Sequence, residues 1–460
     1  MTANTTKNTA SADAILKPAD KADTPLKLRE DLAVPGEVPT APLAGTLVID
    51  MTQVQSGPTC TQMLAWFGAE VIKVEKLTGD QTRAELRDIP GEDSLYFLQL
   101  NSNKKSLTLN LKTDNGKKIM ADLIKSADIF VENLHPGAID DLGFGWEAVH
   151  KMNPRIIMGS IKGFNPDSRF KNLKCFETVA QSTGGNATVT GWNEGEYNMP
   201  TMAGASTGDA NSGMHLLTGL LAALFQREKT GKGCYVYQSM QNAAMNLCRT
   251  KLHDQMLLDK TGVLPEYPTY PDGKTGDTVP RQECSEGGGE ISWIYKCKGW
   301  ETDPNAYACV IVQWDEAGFE KFCHAIGFED WLTDPKFSTS TERFKHKAEI
   351  RSRIEKYTMT KDKYEVAQIL GDAGVPCGPV LSWKEIENDQ ELKDAKMIVE
   401  VDEGGKRGTY LTLGCPTFFS NYSPDITRAP KLGENNVEIL TRLGYSSAEI
   451  DQLKTDNVIA

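Results

Sequence analysis

The feature that most constrains the fold is a pair of apolar runs on either side of one amphipathic segment. Thr46-Leu47-Val48-Ile49-Asp50-Met51 reads as a short strand buried on both faces. A turn with Gly57 and Pro58 comes next, and Pro58 suits the first turn of a helix, where its missing N–H costs nothing. Cys60, Met63, Leu64 and Phe67 then share one helix face, which Gly68 ends. Val71-Ile72-Lys73-Val74-Glu75 is the second strand. Two strands joined through a helix make a parallel βαβ unit, which commits the chain to an open α/β sheet.

The pattern recurs more loosely. Ile119, Met120, Leu123 and Ile124 mark a helix face, and Asp128–Asn133 and Arg155–Ile161 read as strands. Met214, Leu217, Leu220, Leu221 and Leu224 mark a long helix that Thr230-Gly231-Lys232-Gly233 stops, with a strand at Cys234–Tyr237 beyond. From 262 to 292 the composition turns to Pro, Gly, Asp and Glu, a boundary or a long functional loop. Residues 293 to about 400 carry strand signals followed by charged helices, and the tail holds Leu411-Thr412-Leu413 and a helix near 435–443. The expected organisation is a leader at 1–41, a large domain at 42–240 completed by about 405–460, a linker with a glycine loop at 241–292, and a small domain at 293–404.

Composition narrows the function. The 460 residues suffice for two or three domains with their own cores, and a formal charge of −13 argues against a general nucleic-acid or anionic-membrane binder. No apolar run reaches the ~18–20 residues that span a bilayer. Residues 1–41 lack an apolar core segment and hold several acids, which predicts a disordered leader and neither a secretory nor a transit signal. The ten cysteines show no C-x-x-C pair and read as reduced thiols of a cytoplasmic protein, and the six histidines show no metal-ligand spacing. No metal and no tightly bound cofactor is expected.

Three segments invite a functional reading. The first βαβ unit, with Glu75 at the end of its second strand, suggests a dinucleotide site. Its turn, Gln53-Val54-Gln55-Ser56-Gly57-Pro58, holds one glycine where pyrophosphate binding needs three. Gly208-Asp209-Ala210-Asn211-Ser212-Gly213 places one carboxylate in a glycine-framed turn at a helix start, either as a helix cap or as a nucleophile. Gly287-Gly288-Gly289-Glu290 lacks the Lys-Ser/Thr ending of a phosphate loop, and is a linker or a flap that excludes water.

Taken in order, eight segments resemble one family. They are Thr52–Pro58, Gly68–Glu75, Asn101–Ser106, Val131-Glu132-Asn133, Gly208–Gly213, Cys297–Asp303, Gly374–Pro379 and Arg428–Glu434. From Leu43 onward the chain resembles the class III CoA-transferases and, within them, the formyl-CoA:oxalate group. The resemblance implies an interlocked homodimer in which each subunit has a large Rossmann-like α/β domain and a smaller α+β domain. It implies acyl-CoA and carboxylate substrates, with coenzyme A entering as a thioester. Asp209 is then the nucleophile and Gln55 an active-site glutamine that hydrogen-bonds the reacting groups. An Asp with an ordinary pKa of ~3.9 would be ionised at neutral pH and need no general base. Positions matching the family's CoA contacts are Gln55, Ser56, Lys76, Leu109, Lys112, Asn133, Leu134, His135, Lys174, Cys175, Phe176 and Glu177. The flap matches Gly287, Gly288, Gly289 and Glu290.

The chain departs from the formyl/oxalate pattern at Glu85 (Trp there), Phe176 (Tyr) and Glu290 (Gln), and Asp141 replaces a basic CoA contact. These departures bear on the acyl donor and acceptor, with acetyl-CoA:oxalate or another short-acyl transfer as the alternative. A racemase of the same fold would need a proton-moving group where Phe176 stands. A non-catalytic CoA-ester binder would be expected to have lost Asp209 or the glycines.

Overall fold

The computed structural model describes residues 40–193, 195–264, 278–284, 291–313 and 315–460. The leader up to residue 39 and the segment Gly287–Glu290 lie outside the described residues. The chain divides into two compact units. The larger comprises, among the described residues, 40–187, Met202–Arg249 and Leu392–Ala460, and the other Thr188–Thr201 and Thr250–Glu391.

The larger unit is built on six parallel strands: β1 (Leu47–Met51), β2 (Glu70–Glu75), β3 (Lys105–Thr108), β4 (Ile129–Glu132), β5 (Ile157–Lys162) and β6 (Tyr235–Ser239). Their order, β3-β2-β1-β4-β5-β6, is that of a doubly wound Rossmann-like sheet. Alternate residues of one strand serve opposite cores. Val48 packs with α1 (Ser56–Trp66) and α5 (Asp209–Thr230), whereas Ile49 packs with α3 (Asp114–Ser126) and the C-terminal helices. Burial on both faces is why β1 reads as an unbroken apolar run.

Strand β3 is brief and half polar, and sequence periodicity does not reveal it. It forms an edge of the sheet, capped from the chain's end: the Ser106 N–H donates to Asn435 Oδ1 (3.0 Å) and the Thr108 N–H to Asn436 Oδ1 (2.9 Å). Side-chain carbonyls thus satisfy an edge that would otherwise pair with another chain. Leu411–Leu413 lies in a hairpin, Gly408–Leu413 antiparallel to Ile398–Gly404, and a second terminal helix, Ser447–Thr455, comes after the expected one at Asn436–Arg442.

The other unit holds a three-stranded antiparallel sheet of Trp293–Lys296, Tyr307–Val310 and Cys377–Pro379. Helices Glu316–Ile326, Lys347–Thr358 and Lys363–Asp372 contribute to its core around Trp331, Tyr295 and Phe322.

Candidate active site

Strand order reverses between β1 and β4: the chain winds outward to β2 and β3 on one side, and to β5 and β6 on the other. Loops leaving such neighbours diverge and open a crevice at the carboxyl ends of the strands. Here those loops are Thr52–Gln55 after β1 and Asn133–His135 after β4, and one side chain ties them together. Asn133 Oδ1 accepts the Gln53 N–H (2.7 Å), and Asn133 Nδ2 donates to the Gln53 carbonyl (2.8 Å) and to Ser56 Oγ (3.2 Å).

The first loop is strained. Val54 has φ +62°, a conformation that costs an L-residue about 1–2 kcal/mol and is rarest for β-branched side chains. The two residues before it are both held. Besides Asn133 on Gln53, the Thr52 N–H and hydroxyl donate to Asp50 Oδ1 (2.8 and 2.5 Å), and Lys73 Nζ donates to the Thr52 carbonyl (2.8 Å).

Beneath this loop lies a buried ion cluster. Asp50, Lys73 and Lys104 have no exposed side-chain surface, and Lys104 reaches Asp50 Oδ2 at 3.0 Å while Lys73 reaches Asp80 Oδ2 at 3.0 Å. Burial alone would raise the Asp50 carboxyl, but the Lys104 and Lys73 ammoniums and two hydroxyl hydrogen bonds outweigh it and hold the pKa at about 2. Burial pushes Lys104 down to about 8, against the pull of Asp50. Lys104 also donates to Thr61 Oγ1 (2.8 Å) and Asn101 Oδ1 (2.9 Å), which gives the Asn101–Ser106 segment a physical role.

Asp209 is the first residue of α5. Gly208 before it has no side chain to cap the helix, and the Glu177 carboxylate, at the start of α4 (Glu177–Thr183), takes that part. Glu177 Oε1 accepts the Gly208 N–H (2.9 Å) and Glu177 Oε2 accepts the Asp209 N–H (2.5 Å). Asp209 is therefore not its own helix cap. A Cβ on Gly208 would lie 2.9 Å from the Glu177 carbonyl oxygen, so the glycine permits the approach. Gly213 does the same for the packing of α5 on α1: a Cβ there would meet the Ser56 carbonyl oxygen at 2.4 Å.

This arrangement alters Asp209. Only 8% exposed, the carboxyl is raised to about 7, by burial first and by the Glu177 charge second. The positive end of α5 would favour a carboxylate, but Glu177 already occupies those N–H groups. Burial pushes Glu177 up as well, yet the N–H groups of Gly208 and Asp209 prevail and lower it. The ordinary pKa expected from sequence thus gives way to one near neutrality.

Gln55 joins the same network. Its Nε2 donates to Ser206 Oγ (2.8 Å), the Ser206 hydroxyl donates to Glu177 Oε2 (3.0 Å), and the Tyr96 hydroxyl donates to Gln55 Oε1 (3.3 Å). Tyr96 was not legible as a site residue: it sits in a short helix, α2 (Leu95–Asn101), with no motif around it. Burial, then the charges of Asp209 and Glu85, lift its hydroxyl to about 12.

Two clefts meet above the loops. One, of about 300 Å³, is lined by Ser56, Asn133, Leu134, His135, Lys174, Cys175, Phe176 and Asp209. The other, of about 440 Å³, is lined by Lys76, Leu109, Lys112 and Leu134, and Gln53 also borders both. The structure thus brings together the expected positions in two groups: one around the carboxylate, one around two exposed lysines. Gln55 and Glu177 line neither cleft, and Glu177 stands behind the start of α5 with both oxygens engaged. Cys175 is pushed up to about 12, by burial and then by Asp209 and Glu177, and is a thiol. Lys162, another residue missed in the sequence, lines the first cleft and donates to Glu132 Oε2 and the Leu134 carbonyl (both 2.6 Å).

Glu75, the candidate ribose ligand of a dinucleotide site, is buried and paired with Arg83 (2.7 Å). Among the described residues no group of three His, Cys, Asp or Glu side chains is placed to hold a metal ion, and no helix is long and apolar enough to cross a membrane.

Residues 43–436 match CoA-transferase family III. The chain is 54% identical over 421 residues to the formyl-CoA:oxalate CoA-transferases of Escherichia coli O157:H7 (strain EC4115 / EHEC) and Shigella dysenteriae serotype 1 (strain Sd197), covering 91% of this chain and 100% of each relative. The fold is similar to that of a CAIB/BAIF family protein from Brucella suis, with a TM-score of 0.73 and 24% identity over 88% of this chain and 99% of that one. It is also similar to Rv3272 from M. tuberculosis, with a TM-score of 0.70 and 25% identity over 87% of this chain and 99% of that one.

Proposed function

The chain belongs to CoA-transferase family III, and from that premise we propose that it moves CoA from formyl-CoA to oxalate, giving oxalyl-CoA and formate. The observation that carries the reading is the Asp209 carboxyl: buried, raised to about 7, and lining a cleft at the reversal point of the sheet. The ionised carboxylate attacks the formyl thioester carbon, the C–S bond breaks, and a mixed anhydride forms as CoA thiolate leaves. The thiolate then attacks the Asp209 carboxyl carbon and expels formate, leaving an aspartyl-CoA thioester. Oxalate opens that thioester through a second anhydride, and the released thiolate takes the oxalyl group and frees Asp209.

A buried carboxylate is a stronger nucleophile than a hydrated one, and exclusion of water protects each anhydride. Gln55 would hydrogen-bond the reacting groups, and the family resemblance assigns the flap to Gly288 and Gly289, which lie outside the described residues. The second cleft, with Lys76 and Lys112, suits the phosphates of CoA. The proposal includes a homodimer in the cytoplasm. In the larger unit, exposed Phe225 and Met245 are apolar side chains that a dimer could bury.

The test is CoA transfer to oxalate with formyl-CoA, acetyl-CoA and succinyl-CoA as competing donors. Oxalyl-CoA formed fastest from formyl-CoA supports the assignment, and a strong preference for either rival moves the enzyme to another short-acyl transfer. The pH profile tests the nucleophile separately. A protonated carboxyl cannot attack, so kcat/KM for the donor is expected to fall about tenfold per pH unit below 7 and to level above it. A profile flat from pH 5 to 8 would be that of an ordinary Asp.

A further inference from the structure

The structure assigns Asn133 a positioning role: its carboxamide holds the strained Val54 conformation and thereby aims Gln55 at the Asp209 network. Three hydrogen bonds engage this side chain inside the protein. Its oxygen takes the Gln53 N–H at 2.7 Å, and its nitrogen serves the Gln53 carbonyl at 2.8 Å and Ser56 Oγ at 3.2 Å. The two bonds to Gln53 imitate one rung of a β-ladder across the gap between the first two loops.

The rung matters because of the residue next to it. Gln53 immediately precedes Val54, whose φ of +62° would relax to negative values if nothing opposed it. A relaxed Val54 would rotate the next peptide and swing Gln55 away from Ser206, to which it now donates at 2.8 Å. Ser206 in turn donates to Glu177, the carboxylate that holds the Asp209 N–H. Lys73 and Asp50 fix Thr52 on the same side, but they act one residue further from Val54 than Asn133 does. The rung therefore links the site's two walls to its chemistry, and a ligand can meet Asn133 through its backbone alone without competing for the carboxamide.

This inference rests on the reading of Gln55 and Asp209 given above, so its test separates the two. Asn133→Ala and the isosteric Asn133→Asp are made alone and combined with Gln55→Ala, and transfer is measured alongside CoA binding. Asn133→Asp keeps the acceptor but loses both donated bonds, and it stands in if the alanine variant folds poorly. Each is expected to lower kcat about 10²-fold, the scale of an ångström-sized misplacement, with CoA affinity within about threefold of the parent. In the Gln55→Ala background either change should cost less than about twofold, because the group being aimed is already gone. Losses that multiply in the double variants overturn the proposal. So does a crystal structure of either Asn133 variant in which Val54 keeps its positive φ. A Gln55→Ala protein with full activity would instead refute the catalytic reading of Gln55, while the conformation of Val54 still decides the role of Asn133.

Discussion

Asp209→Asn is expected to abolish CoA transfer and, above pH 7, to make the protein more stable. The amide has the shape of the carboxyl and no nucleophilic oxygen, so the loss should be at least about 10⁴-fold, the scale seen when a nucleophile is removed. The gain in stability comes from the raised pKa. Between the unfolded value of ~3.9 and the folded value of about 7, the folded state binds a proton that the unfolded state has released. Stability therefore falls as pH rises through that window. By pH 8 the ionised Asp209 costs on the order of 4 kcal/mol, and Asn avoids it. Thermal unfolding of the two proteins should thus diverge at pH 8, with the variant higher, and converge near pH 4. A variant with a lower midpoint at pH 8 would mean that Asp209 is a stabilising helix-end carboxylate and no more. Retained transfer would remove it from the chemistry.

The second large effect is expected at Asp50. Asp50→Ala strips the direct counter-charge from Lys104, an ammonium with no access to water, and leaves Lys73 with Asp80 alone. Leaving a buried charge uncompensated costs about 3–5 kcal/mol, far more than an intact buried pair contributes over a hydrophobic pair. Lys104→Met should cost less. Burial already pulls Lys104 down to about 8, so its charge is the less comfortable of the two, and Asp50 would keep Lys73 and its hydroxyl partners. Urea unfolding of both variants gives the comparison. Because the folded pKa of Asp50 is depressed to about 2, its contribution is fully present above ~4 and is lost as pH falls through 2. Equal losses for the two variants, or a loss under about 1 kcal/mol for Asp50→Ala, would show that water reaches the cluster.

The two effects arise from one construction. The ion cluster and Asn133 hold Thr52 and Gln53, Val54 takes up the strain, and Gln55 meets Ser206, which bonds Glu177 at the start of α5. Strain stored where the chain is over-determined is a common property of functional loops. Gly213 completes the arrangement by letting α5 close on the backbone of Ser56. The glycine that ends the Gly208–Gly213 segment thus serves packing, whereas the Asp near its start is the one proposed for the chemistry.

Much of this was legible from the chain alone. The two-faced apolar runs at β1, β2, β4 and β5 announced a parallel sheet, since only strands covered on both sides omit the polar alternation. Gly68 and Gly231, both with positive φ, ended the helices where expected. β3 escaped notice because Lys105 and Ser106 leave it only a few apolar residues. Tyr96, Lys162 and the Asp50–Lys104 pair escaped for a different reason: each acts through partners far away in sequence. Asp50 and Lys104 are 54 residues apart, and Glu177 and the Asp209 N–H are 32 apart.

The layer architecture, a lone carboxylate at a helix start, and the family to which the segments around it belong were all written along the chain. Local periodicity, turn residues and segments in order are enough to establish them. The kind of carboxylate that Asp209 is had to wait for the folded molecule. An Asp carries no mark of its own pKa: burial beneath the cleft and the charge of Glu177 set it, and both exist only once α4 and α5 have met.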